Sequence, residues 1–200
     1  MTRRVSALAI GLGILLAPLF AAQVPRPAPE FPIRLVDGQV LHLSQYKGKV
    51  VALAFVQTTC PHCQHLSVLL NRMYKEYAPR GFQVLAVAFN PMATLLVPDF
   101  VKALDLSFPV GVGLHEEVEA YLQHPAMEIL YVPQLVFIDR QGIIQAQYRG
   151  QDDFFKEPVG EANLRHQIEA LLAPHAARPA ASKPSAANKP ASLSTPQAIK

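Results

Sequence analysis

Seven consecutive apolar residues, Val50–Val56 (VVALAFV), run almost directly into the chain's two cysteines, in Cys60-Pro61-His62-Cys63. A short run, rich in β-formers and apolar at every position, predicts a strand buried on both faces of a sheet. After the cysteines, Leu66, Leu69, Leu70, Met73, Tyr74 and Tyr77 recur at helical spacing, as far as Pro79 and Gly81. A second apolar run, FQVLAVAF over residues 82–89, follows. Strand, helix and strand in this order predict a parallel pair with a right-handed crossover. Both cysteines fall at the junction where the first strand feeds the helix.

The rest of the chain fills out a mixed α/β architecture. Asp37-Gly38, between two short apolar stretches, is a hairpin turn signal. A middle insertion carries a short helix over 99–106, a short strand over 108–112 and a helix over 116–122. Strands over 135–138 and 143–148 are joined through DRQG as a hairpin. A final helix spans 158–172, with Pro158 in its first turn and Leu164, Ile168, Leu171 and Leu172 as its apolar stripe. The expected fold is α/β: a mixed central sheet flanked by helices, with an N-terminal β-hairpin and a middle insertion.

The two ends differ from this middle. Residues 1–22 begin with Arg3 and Arg4 and continue as an apolar run, the pattern of an export signal, either cleaved or kept as a membrane anchor. Residues 23–28 are proline-rich and read as a spacer before a domain over 29–173. Residues 174–200 are mostly Ala, Pro, Ser and Lys, a composition that buries too little apolar surface to order itself. The formal charge of +3 arises at these ends. Two cations lie in 1–22 and four in 174–200, which leaves the central region acidic at −3. A nucleic-acid surface is therefore unsupported. Export places the domain where disulfides persist. Two cysteines, however, are too few for a disulfide scaffold.

The chemistry of the pair narrows by elimination. Haem attachment requires His directly after the second cysteine, and Gln64 stands there. Structural zinc requires four ligands, and Cys60, His62, Cys63 and His65 are too crowded in sequence to surround one ion. A staple across so few residues would restrict the unfolded chain little. A dithiol catalyst remains. With Pro61 in the first helical turn, Cys60 sits at the helix N-terminus, where unpaired N–H groups and the dipole favour negative charge. The thiolate is the reactive form of cysteine. Cys60 is therefore expected to attack, and Cys63, one turn on, to resolve. No cofactor is called for.

These features resemble the thioredoxin superfamily. Within it, the chain is most similar to the exported TlpA/ResA-like thiol-disulfide oxidoreductases of the AhpC/TSA-redoxin group. The similarity rests on three blocks: APEFPIRLVDGQVLHLSQYKGKVVALAFVQTTCPHC (28–63), GFQVLAVAFN (81–90) and YVPQLVFIDRQGII (131–144). The resemblance implies a thioredoxin-like fold and disulfide exchange with protein thiols and disulfides. It also implies a separate redox partner that recycles the pair. It makes Pro133 the cis-proline facing the cysteines, leaves the Val132 backbone free to pair with a substrate strand, and counts Thr59 with Val132 as substrate-binding; Gln57 and Thr58 are expected to line the rim. The chain departs from the family at Thr59, where Trp is common, and at Ala54, where thioredoxins proper carry a buried acid. Pro61-His62 is the dipeptide of DsbA-type oxidases, whereas the scaffold is that of family reductants. The balance leans to an oxidising or broad exchange role, with His62 stabilising the thiolate. Two rivals share the scaffold. A peroxiredoxin-like antioxidant enzyme needs Pro-x-x-x-Thr-x-x-Cys, and a SCO-like copper-binding chaperone has three residues between its cysteines. Neither pattern is present.

Overall fold

A computed structural model describes residues 23–173; the leader and tail read from the sequence lie outside the described residues. In chain order the elements are β1 (Arg26–Pro27), β2 (Pro32–Arg34), β3 (Val40–His42), β4 (Val50–Val56), α1 (Pro61–Tyr77) and β5 (Phe82–Ala88). Then come α2 (Ala93–Ala103), β6 (Val110–Val112), α3 (His115–Leu122), β7 (Gln134–Ile138), β8 (Ile143–Tyr148) and α4 (Gly160–Leu172). The strands form one mixed sheet in the order β1-β8-β7-β4-β5-β6-β2-β3.

The expected βαβ unit is the centre of this sheet. Val50–Val56 is buried at every position and pairs in parallel with β5 along its whole length, from Val50↔Phe82 to Val56↔Ala88. Its other edge pairs antiparallel with β7, from Val51↔Ile138 to Phe55↔Gln134. Alternate residues of β4 feed two cores. Val50, Ala52, Ala54 and Val56 pack with residues of α1, α2 and α4 on one face. Val51, Leu53 and Phe55 pack with Phe31, Ile33 and α3 on the other. The α1 stripe of Leu66, Leu69, Leu70, Met73 and Tyr77 is buried as its spacing requires. That helix stops where Pro79 cannot donate and Gly81 turns with φ 87°. Arg165 of α4 reaches Glu76 and the Tyr77 hydroxyl, joining the two helices at their surface.

Three local expectations change. Residues 23–28, read as a spacer, contribute β1, an edge strand on β8. The Ala28 N–H donates to the Gly142 carbonyl at 2.9 Å, and Arg26 donates to the Tyr121 carbonyl and Gln147 Oε1. Prolines are tolerated there because an edge strand leaves half its backbone groups unpaired. The helix expected over 99–106 runs instead from Ala93 to Ala103, through Pro98. Burial of Ala93, Val97 and Phe100 against the sheet outweighs the hydrogen bond that Pro98 cannot make. The last helix opens at Gly160, with Pro158 in the turn before it. Gly160 lies close against the Phe155 carbonyl, where an added Cβ would stand 3.1 Å from the oxygen.

The topology gathers one end of the sheet into a single face. The parallel strands β4, β5 and β6 end there, while β7, running the other way, begins there. The segments after Val56 and Ala88 and the one before Gln134 are therefore neighbours.

One glycine is decisive for the outer half of the sheet. A Cβ on Gly111 of β6 would lie 2.5 Å from Ile33 Cγ2 and 2.8 Å from the Arg34 carbonyl oxygen. The second obstacle is backbone and cannot rotate away. Gly111→Ala is expected to push the β2–β3 hairpin off β6 and to cost about 1–3 kcal/mol. The check is urea unfolding of the purified variant beside wild type.

Candidate active site

The junction between β4 and α1 holds both cysteines as free thiols. Cys60 is the N-cap residue of α1 with extended backbone (φ −83°, ψ 120°), and Pro61 occupies the first turn. The Cys60 carbonyl accepts from the Gln64 N–H at 3.0 Å, which closes the first helical turn. Cys60 is half-buried and Cys63 fully buried, at 0% exposure. The Cys63 sulfur lies beside Cys60 and accepts the Gln57 backbone N–H at 3.4 Å. Burial pushes the Cys63 thiol well up from its ordinary range, the Gln57 amide pulls it back in part, and neighbouring Cys60 adds to the rise. The residue at the position of the thioredoxin acid, Ala54, is itself core.

Around the pair stand most of the residues singled out from the sequence. The Val132–Pro133 bond is cis. Pro133 is buried, and half-buried Val132 packs against the same core as Cys60. His62 is exposed and shares with Pro133 a groove of about 440 Å³. The groove runs over Leu66 and Leu69 of α1 to Phe155 and Leu164. His65, at its rim, meets Glu157 at 2.9 Å. Thr59 is placed apart from these: exposed, it lines a second groove against Leu96 and Phe100 of α2. Among the described residues, no three His, Cys, Asp or Glu side chains are grouped to hold a metal ion.

Three residues with no part in the site's architecture as read from the sequence shape this face. Gly150 follows β8 and packs directly on the cis peptide; a Cβ there would lie 2.6 Å from the Val132 carbonyl carbon and oxygen. Asn90, after β5, and Gln64, in α1, both bind Thr58. No sequence spacing announces the contacts of Gly150 and Asn90, whose partners come from other segments, while Gln64 reaches back six residues across the turn into α1.

Comparison with known proteins places this geometry. The family model described as AhpC/TSA family matches residues 24–147. "Thiol-disulfide oxidoreductase ResA" of Halalkalibacterium halodurans is 30% identical over 131 residues, covering 64% of this chain and 70% of that protein. The ResA of Bacillus thuringiensis subsp. konkukian is 27% identical over 130 residues, covering 64% and 71%. A crystal structure of a putative thiol:disulfide interchange protein DsbE from Chlorobium tepidum superposes with a TM-score of 0.63 at 27% identity, covering 74% of this chain and 97% of that one. The cysteine pair at the strand-to-helix junction, the cis-proline beside it and these likenesses agree: the chain belongs to the AhpC/TSA family, as a ResA-like, thioredoxin-fold thiol-disulfide oxidoreductase.

Proposed function

We propose that this protein exchanges disulfides with exported protein substrates through the Cys60–Cys63 pair. The observation that carries the reading is the asymmetry of the pair: Cys60 is accessible at the start of α1, while Cys63 is sealed behind it. In the reducing direction, the Cys60 thiolate attacks one sulfur of a partner disulfide. The partner's S–S bond breaks, a partner thiolate leaves, and a mixed disulfide forms. Cys63 then attacks the Cys60 sulfur, closing Cys60–Cys63 and freeing the second partner thiol. Two electrons have moved from the pair to the partner. The same steps reversed oxidise a dithiol.

Other groups have supporting roles in this reading. Pro61 starts the helix at whose N-terminus Cys60 stands. The Val132 backbone, before buried Pro133, offers hydrogen bonds to an extended partner strand, and Thr59 contacts the partner from the opposite rim. His62 stands exposed in the Pro133 groove and stabilises the reduced, anionic form. That favours an oxidising or broad exchange role. A second redox protein recycles the pair. Export to the bacterial periplasm or cell envelope rests on the basic start and apolar run of residues 1–22. Among the described residues no helix is long and apolar enough to cross a membrane. The segment that would anchor the protein lies outside them.

Three outcomes test this reading. Cys63→Ser should accumulate mixed disulfides through Cys60 in cells, seen as higher-mass bands on non-reducing gels that Cys60→Ser lacks; inert thiols in an insulin-reduction assay would overturn it. At neutral pH, iodoacetamide should label Cys60 and spare Cys63, because the buried thiol stays protonated. Labelling of Cys63 should rise only as pH climbs well above the ordinary thiol range, as peptide mass spectrometry would report. His62→Ala should lower the potential of the pair, measured against glutathione, by about 30 mV, a tenfold change in the exchange constant for a two-electron couple.

A further inference from the structure

The loop before Cys60 is held from both sides by side chains that touch neither cysteine sulfur. Thr58, 5% exposed, donates its N–H to Asn90 Oδ1 at 2.9 Å. Asn90 Nδ2 donates in return to Thr58 Oγ1 at 3.1 Å and to the Pro91 carbonyl at 3.0 Å. From α1, Gln64 Nε2 donates to the Thr58 carbonyl at 2.9 Å. The N–H, carbonyl and hydroxyl of Thr58 are thus all taken, by the end of β5 on one side and by α1 on the other.

The consequence falls one residue earlier. Clamping Thr58 fixes the Gln57–Thr58 segment, and the Gln57 N–H is the donor aimed at Cys63 Sγ. The cluster that buries Cys63 is apolar, and the ionisable group acting on its sulfur is the Cys60 thiol. Ser67, one turn along, uses its hydroxyl on the Cys63 carbonyl instead. With Ala54 where an acid could have stood, a backbone amide is the polar group that meets the resolving sulfur. A hydrogen bond to an ionised acceptor is worth more than one to a neutral acceptor, so this amide favours the thiolate that must form at Cys63.

We propose that Asn90 and Gln64 are positioning residues for the resolving step: by clamping Thr58 they hold the Gln57 amide on Cys63 and so speed its attack on the mixed disulfide. The inference rests on the reading of Cys60 as attacking and Cys63 as resolving thiol. The step balances without an added oxidant. The Cys63 thiol gives its proton to water, its sulfur bonds to Cys60 Sγ, the bond from Cys60 to the partner sulfur breaks, and the departing partner thiolate is reprotonated.

The test is stopped-flow reaction of the full-length reduced protein with the aromatic disulfide dithiobis(nitrobenzoate). One chromophoric thiolate leaves when Cys60 attacks and a second when Cys63 resolves. Gln64→Met keeps the length of the side chain and removes the donor; Asn90→Ala removes the other half of the clamp. In each, the second phase should slow by about tenfold, the effect of losing one hydrogen bond to a charged group, and its pH profile should move to higher pH. The first phase should keep its rate. A second phase with wild-type rate and pH profile in both variants overturns the inference alone, as does equal slowing of both phases. Absence of a second phase in the wild-type protein overturns the redox-pair reading and the inference with it.

Discussion

A strand that is apolar on both faces can be satisfied only by hydrogen-bonded neighbours on both edges and packed cover on both sides. Val50–Val56 is such a strand, and the whole domain is arranged to meet its demands. The β5 and β7 strands take its backbone groups. Helices α1, α2 and α4 cover one face, and α3 with Phe31 and Ile33 covers the other. Fully burying one large side chain contributes roughly 1.5–3 kcal/mol. The register of this strand is therefore strongly determined, since slipping by one residue would exchange its two faces. The point at which the chain leaves β4 is fixed as firmly as the core itself.

The face that carries the two cysteines follows from that fixed exit. Because β7 runs against β4, the segment before Gln134 arrives at the end of the sheet where the segment after Val56 departs. Pro133 thus meets the start of α1 without any residue near the cysteines in sequence having to specify it. Gly150 then allows the backbone after β8 to lie on the Val132–Pro133 peptide, an approach closed to any side chain. The resulting face places half-buried Cys60 at a helix N-terminus and keeps Cys63 in an apolar interior. Accessibility and burial divide the two cysteines, although they are only one helical turn apart.

Much of this was legible because the signals were local. The run VVALAFV, the helical spacing after Cys63 and the Asp37-Gly38 turn each announce an element through burial or backbone conformation within a few residues. Cys60 and Cys63 needed only their spacing and the exclusion of haem by Gln64. Pro133 was reached differently, through resemblance to a family, since nothing in its own neighbourhood points to the cysteines. The misjudged segments share a physical cause. Proline at Pro98 and in 23–28 argues locally against regular structure, but packing of Val97 and Phe100 and pairing of Arg26–Pro27 with β8 were settled by distant residues. Thr59 lines a groove against Leu96 and Phe100 of α2.

The sequence by itself determined a buried parallel β-α-β unit with a dithiol at its strand-to-helix junction. Periodicity and apolar runs are properties of contiguous residues, and so is the Cys-Pro-His-Cys spacing. Only the tertiary structure decided what surrounds those thiols: the cis Val132–Pro133 peptide, the close approach of Gly150, and the hold of Asn90 and Gln64 on Thr58. The contacts of Gly150 and Asn90 join residues far apart in the chain, and Gln64 meets Thr58 across the turn that leads into α1. Their geometry depends on strand order and direction, which no single stretch of sequence encodes.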